Sequence, residues 1–398
     1  MTDDALGEFD APQFDLPPEL QLLKENLRRF VDKELIPVER ETCEHGMLKP
    51  EYLKLFTEKA KVLGLEGYNI PTEYGGGGFP LLAQMVVLSE LGRTIALPCR
   101  GADVIISGPL LNPILYELTP TQKEKYLYPT LRREIRWCFA QTEPDAGGDP
   151  GSMRTTAVRQ GEHYVINGTK RFITHAELAN YAFVVAATDR EKGSKGGISV
   201  FIVDMKAPGV KLLRQQELVI DDRPWEIAFD DVKVPVENRI GEEGKGFGSA
   251  QRWLSVGRLR HAARSMGVIS RCLELGSSYA KQRVTFGQPL AERQAVQWML
   301  ADAFVDLHQL TLMVYHAASK HDRGEDIRVE GYMAKVFGDT RSYVAADNCM
   351  QIHGGMGLTT DLPMQKMWRD QRSMIITEGP TEVLKMAIAR HVLRTYGG

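Results

Sequence analysis

QIHGGMGLTTDLPMQKMWRDQRSMIITEGPTE, residues Gln351 to Glu382, is the stretch around which the chain reads. It offers a glycine pair, Gly354-Gly355, after a helical run, then Trp368-Arg369-Asp370, then a lone carboxylate, Glu378, beside Gly379. Pro380 at a first helical position and Glu382 two residues on predict that a new helix begins there. Glu378 then sits on the bend entering that helix, where the backbone can aim a side chain into a cleft. A carboxylate held there out of water is a candidate general base. The plainer reading is a helix-start acid attracted by the macrodipole.

Outward from this stretch, long helical patterns occupy the last third. One runs through Trp253, Arg258 and Leu273 toward Gln282; others carry Val296 to Leu310 and Val329 to Val344; a fourth begins at Pro380. Together they predict a four-helix bundle over 242–398. Upstream, from Trp137 to Ile240, the chain is rich in Val, Ile, Thr and aromatics with closely spaced turn residues. Ala182–Ala187 and Ile198–Val203 are apolar runs suited to buried strands. Trp225, Ile227 and Phe229 alternate with polar or small neighbours as a half-buried strand does. Tyr164-Val165-Ile166 before Asn167-Gly168 signals a hairpin turn. This predicts an antiparallel β-domain over 135–241. Before it, the helical spacing from Pro18, the patterns after Pro50 and over Leu81–Leu91 and Thr121–Arg133, and the glycine-rich connection Gly75–Gly78 give an all-α domain over 1–134. Residues 1–15 read as a loose arm. The fold class is α+β, ordered α, β, α.

The 398 residues are 43% hydrophobic and 25% charged with a net charge of −3, so the core is ample and there is no electrostatic footprint for nucleic acid. No apolar run approaches the roughly 20 residues that span a bilayer, and the acidic MTDDALGEFD start shows no targeting signal. The five cysteines, Cys43, Cys99, Cys138, Cys272 and Cys349, are scattered without a C-x-x-C pair, which predicts reduced thiols, no metal site and a cytoplasmic setting.

Three further stretches carry chemistry. Gln141–Asp149, QTEPDAGGD, is a polar, glycine-rich loop whose amides can cradle an anion or lie against a flat ring; it also reads as a plain turn. Asn167–Thr174, NGTKRFIT, reads as a turn followed by an aromatic and a threonine, or as an exposed strand edge. Gln282–Gly287, QRVTFG, is a basic-aromatic loop at a helix end, or mere capping. Gly241–Phe247, GEEGKGF, superficially resembles a nucleotide loop, but no preceding-strand, following-helix unit of Rossmann type fits it.

In order and spacing, TEPDAGGD, NGTKRFIT, RVTFG, QIHGGMG and RDQRSMIITEGP resemble the acyl-CoA dehydrogenase family from about Leu16 to the C-terminus. The resemblance implies an FAD enzyme that oxidises an acyl-CoA thioester to the 2,3-enoyl-CoA and passes electrons to an electron-transfer flavoprotein. It makes Glu378 the base that takes the α-proton, while the β-hydrogen leaves as hydride to the flavin. The same glutamate's backbone N–H would stabilise the enolate-like thioester oxygen. By position, Phe139, Gln141, Thr142, Phe172 and Thr174 should line the flavin ring and ribityl chain. Arg283, Phe286, Gln294, Gln351, Gly354 and Gly355 should meet its pyrophosphate and adenine end. Some family contacts come from a neighbouring subunit, which implies a homotetramer built as a dimer of dimers. Gly148, Arg100 and Arg258 fall on the substrate side. Arg100 matches the place where glutaryl-CoA dehydrogenases carry an arginine for a distal carboxylate, and reads equally as a surface arginine at a loop edge.

The departures are specific. The family serine of A-G-S-D is Gly148, and the tryptophan before I-T is Phe172, which stacks but donates no hydrogen bond. Thr377 and Pro380 replace the tyrosine and threonine of Y-E-G-T. Some relatives carry the base on the long helix before an arginine; that slot is Gly257 here, so Glu378 stands alone. The same fold also houses oxidases and oxidative decarboxylases, and an idle partner subunit of a mixed oligomer is the non-enzymatic alternative.

Overall fold

A computed structural model describes residues 16–98, 108 and 111–397. The described residues form two compact units: one of 16–43, 48–98 and 255–397, the other of 44–47, 108 and 111–254.

The first unit is helical. Proline opens each of the first two helices, α1 Pro18–Phe30 and α2 Pro50–Val62, where its missing N–H costs nothing. α3, Leu81–Leu91, is almost wholly buried, and its first two amides are capped from afar by the Asp322 carboxylate at 2.6 and 2.9 Å. The long helices are α4 Gly246–Gln282, of which residues 255–282 belong to this unit, α5 Gln294–Asp322, α6 Arg328–His353 and α8 Thr381–Tyr396, with a shorter α7, Met364–Met374. The expected four are present. Small residues let α4, α5 and α6 approach closely: Ala262, Ala263, Ala317, Ala334 and Ala346 are fully buried among Leu259, Leu310 and Val314. Gly267 of α4 meets the Ser89 carbonyl so closely that a Cβ would lie 2.1 Å from it.

The second unit centres on an eight-stranded sheet. Its strands are β1 Trp137–Ala140, β2 Thr156–Gln160, β3 His163–Ile173, β4 Tyr181–Ala187, β5 Ile198–Asp204, β6 Val210–Gln215, β7 Trp225–Pro235 and β8 Arg239–Ile240. The order is β8-β5-β4-β2-β3-β7-β6, with β1 also against β4. Ladders are antiparallel except β1–β4 and the single pair joining β2 to β4. The antiparallel expectation therefore holds for most of the sheet. Ile166, Ile173, Val184, Phe201, Ile227 and Phe229 fill its core. Pro120–Leu131 is helical, with a π turn over Lys123–Leu127.

Two local expectations are corrected. Asn167-Gly168 is not a hairpin turn: β3 runs straight through it, with a register shift between Ile166 and Gly168. The turn lies at Gly161, where φ is +63°. Asn167 instead binds Asp231 across the bulge, and Gly168 is glycine because a Cβ would meet Thr155 Oγ1 at 2.4 Å. Pro380 is the residue before the helix, and Thr381 is its first residue.

Candidate active site

Glu378 lies between α7 and α8 with φ of +54°, a left-handed conformation that a residue with a Cβ adopts at a cost of order 1–3 kcal/mol. The next residue, Gly379, has φ of +104°. Contacts from three helices hold this turn. Arg258 Nε of α4 donates to the Glu378 carbonyl at 3.0 Å. Lys335 Nζ of α6 donates to the Met374 and Gly379 carbonyls at 2.8 and 3.3 Å. Thr381 of α8 donates its N–H to the Ile375 carbonyl at 3.2 Å. The strain at Glu378 is thus over-determined by its surroundings.

The Glu378 side chain is 31% exposed and lies against α4. Its Oε2 occupies the space where a Cβ on Gly257 would sit, 2.6 Å away, and its Oε1 is 3.3 Å from His261 Nε2. His261 Nδ1 faces Asp339 Oδ2 at 3.6 Å. Asp339 is fully buried, pairs with Lys335 at 2.9 Å and accepts from Ser265 Oγ at 3.1 Å. Burial pushes His261 toward neutrality, but Glu378 and Asp339 outweigh it and raise its pKa. Burial lowers that of Arg258, which stacks over the Tyr332 ring at 5.0 Å. Only 5% exposed, Arg258 is engaged with the Glu378 turn. Arg100 lies outside the described residues.

His261, Asp339 and Lys335 were not singled out in the sequence. Lys335 and Asp339 stand four apart within an apolar helical pattern, and His261 follows Arg258 by three on the same helix. That spacing was the available signal.

In the second unit the two motif loops clamp each other. The buried Lys170 of β3 donates to Glu143 Oε1 at 2.7 Å and to the Gln141 carbonyl at 2.9 Å. Glu143 also accepts from the Arg154 and Thr155 amides at 2.6 and 3.0 Å. The Arg171 N–H donates to the Thr142 carbonyl at 2.8 Å. Burial raises the Glu143 pKa, yet Lys170 and those donors leave it below the ordinary value. Burial brings Lys170 down to about 8 despite its partner. The two shifts have different causes: the pair and the amide donors lower the carboxyl, whereas loss of water outweighs the pair at the ammonium. Both groups remain charged at neutral pH.

The clamp fixes Gln141 and Thr142 beside Phe172 and Thr174. Phe172 is in the left-handed region, φ of +60°, and its ring is 49% exposed. Gln141 Oε1 is buried without a hydrogen-bond partner. Phe139 is half-buried and Gly148 exposed. In the first unit, stacking of Tyr279 on His353 at 4.3 Å brings the last turns of α4 and α6 side by side. Arg283 follows Tyr279 by one turn, its N–H donating to the Tyr279 carbonyl at 2.9 Å. Gln294, Gln351, Gly354 and Gly355 are exposed, and Phe286 is 98% exposed at φ of +49°.

Models of the acyl-CoA dehydrogenase N-terminal, middle and C-terminal domains match residues 17–134, 138–232 and 244–393. The chain belongs to the acyl-CoA dehydrogenase family. It is 37% identical to the CarC subunit of a caffeyl-CoA reductase–Etf complex from Acetobacterium woodii, over 94% of this chain and 98% of that one. The structure of butyryl-CoA dehydrogenase from Megasphaera elsdenii matches with a TM-score of 0.83 and 31% identity, over 96% of this chain and all of that one. PigA with FAD and proline matches at 0.85 and 26% identity, over 96% and 99%. The resemblance read from the motifs is borne out, as is the fold class. FAD is the cofactor of this family.

Within this acyl-CoA dehydrogenase fold, Gly257 makes room for Glu378. Gly257→Ala should leave thermal stability unchanged or higher, since alanine favours the helix by about 1 kcal/mol. It should slow anaerobic flavin reduction by an acyl-CoA by about 10- to 100-fold, through displacement of the carboxylate. Stopped-flow bleaching and a melting curve measure both.

Proposed function

We propose that this chain binds FAD and removes the α- and β-hydrogens of an acyl-CoA thioester, giving the 2,3-enoyl-CoA, with Glu378 as the base. The observation that carries the proposal is the Glu378 carboxylate, held on a strained turn in the space that Gly257 leaves open. Electrons pass to an electron-transfer flavoprotein.

The residues present fit FAD. Gln141 offers an unpartnered buried acceptor on a braced loop, and Phe172 and Phe286 expose aromatic faces. Gly354 and Gly355 have nothing within 4 Å of where a Cβ would stand. Phe139, Gln141, Thr142, Phe172 and Thr174 would hold the ring and ribityl chain; Arg283, Phe286, Gln294, Gln351, Gly354 and Gly355 would hold the pyrophosphate and adenine. Bound FAD supplies the acceptor for the β-hydride. Glu378 takes the α-proton on its carboxylate, and its backbone N–H donates to the thioester oxygen as charge develops there. Arg258 fixes the turn that carries both groups. Gly148 and Arg100 belong to the substrate side of the proposal.

The exposure of Phe286 and Gln351 supports a site completed in an oligomer, a homotetramer in this reading. Among the described residues no helix is long and apolar enough to cross a membrane, and Cys43, Cys138, Cys272 and Cys349 are unpaired, which supports a cytoplasmic setting.

The purified chain should show a stoichiometric flavin spectrum and scatter light as a multimer. A panel of aliphatic, aryl and dicarboxylic thioesters should include one that bleaches it anaerobically, and added electron-transfer flavoprotein should restore the colour. Flavin that no thioester bleaches would overturn the activity; a monomer holding stoichiometric FAD would overturn the shared site. Peroxide formed in air without another acceptor would assign an oxidase instead. The likeness to the caffeyl-CoA reductase subunit of Acetobacterium woodii favours a second reading, in which the same residues reduce an enoyl thioester and Glu378 delivers the proton. Reoxidation of the reduced protein by a 2,3-enoyl-CoA tests it.

A further inference from the structure

The imidazole of His261 stands between two carboxylates, and each ring nitrogen faces one of them. Nε2 is 3.3 Å from Glu378 Oε1 and Nδ1 is 3.6 Å from Asp339 Oδ2. A neutral imidazole has one N–H and one lone pair, so either tautomer would turn its lone pair toward a carboxylate. Only the imidazolium offers a donor to both. We propose that His261 is a positioning residue that stands as an imidazolium between Asp339 and Glu378, keeping Glu378 aimed and ionised until the α-proton arrives. This rests on the reading of Glu378 as the base.

The surroundings fix which partner moves. Lys335 Nζ at 2.9 Å and Ser265 Oγ at 3.1 Å anchor Asp339, which is fully buried. Ser342 and Ser265 meet at Gln371 Oε1, a neutral group behind them. On the Glu378 side, Arg258 is a second charged group: its guanidinium holds the Glu378 carbonyl and stacks over Tyr332. His261 therefore faces an anchored carboxylate at Nδ1, 3.6 Å away and beyond hydrogen-bond reach, and a carboxylate on a turn at Nε2, 3.3 Å away, so its closer influence falls on Glu378. When that carboxylate takes a proton, the attraction between them is lost. In the enoyl-reducing direction, the same attraction favours release of the proton from Glu378.

His261→Gln keeps a hydrogen-bonding side chain and removes the charge. An opposite charge within about 4–6 Å lowers a carboxyl pKa by roughly 1–3 units. The acid limb of the pH profile for anaerobic bleaching should therefore move up by about that amount in the variant, costing tenfold or more in rate on the acid side. Above the limb the two profiles should draw together. A role in folding alone would lower the rate by one factor at every pH, and parallel profiles would overturn the proposal. If the variant does not hold flavin, nitrogen NMR of histidine-labelled wild type decides. One histidine should show both ring nitrogens protonated at neutral pH and titrate lower in Glu378→Gln. A neutral tautomer in wild type would overturn the proposal. Full-rate bleaching by Glu378→Gln would instead overturn the base assignment, whichever way the His261 profile turns.

Discussion

Glu378→Gln should bind flavin like the native protein and yet be bleached by thioester at least 10²-fold more slowly, the lower range for loss of a general base. Glutamine keeps the size of the side chain and an oxygen for His261, so the held turn survives the change. What disappears is the basic oxygen. The backbone N–H at 378 remains, so thioester binding should weaken little, and the loss should appear in the limiting bleaching rate and not in the concentration that half-saturates it. A variant that bleaches at nearly the native rate would remove Glu378 from the chemistry.

Lys170→Met should destabilise the β unit strongly. It leaves the Glu143 carboxylate, 4% exposed, without its cation, and breaking a buried pair in this way costs about 3–5 kcal/mol. Methionine fills a similar volume, so the effect is electrostatic and not a cavity. The ammonium also holds the Gln141 carbonyl, so the Gln141–Asp149 loop should lose its docking on β3. Urea unfolding followed by tryptophan fluorescence reads the stability, and flavin retention on gel filtration reads the loop. A loss under about 1 kcal/mol would show that Lys170 is dispensable there.

Much of this fold was legible because its signals are periodic. The helices from Pro18 and Pro50 follow their apolar spacing, and the two continuous apolar runs at Ala182 and Ile198 are adjacent strands of the sheet. Asn167-Gly168 misled because the turn chemistry of that dipeptide is local, whereas its actual use is tertiary. Gly168 makes space for Thr155, and Asn167 bridges to Asp231. Glu378 was legible as a carboxylate on a helix entry, and its positive φ fits that reading. The polar partners behind it were not. His261, Asp339 and Lys335 sit on apolar helix faces where a single polar residue looks like a tolerated exception, and only the packing of α4 against α6 joins them. Glu143 and Lys170 lay inside quoted motifs, but nothing in either motif says that one answers the other.

The turn at Glu378 has a kinetic implication. Its restraints join residues 44 and 120 positions apart in the chain, so no local segment can form the turn alone. Contacts of such long separation are made only after the loop entropy of the intervening chain has been lost. The geometry at residue 378 is thus among the last features to be acquired during refolding, after the flanking helices have closed. Helical signal should return before enzymatic competence does, and the interval between them is set by the docking of α7 and α8 onto α4 and α6.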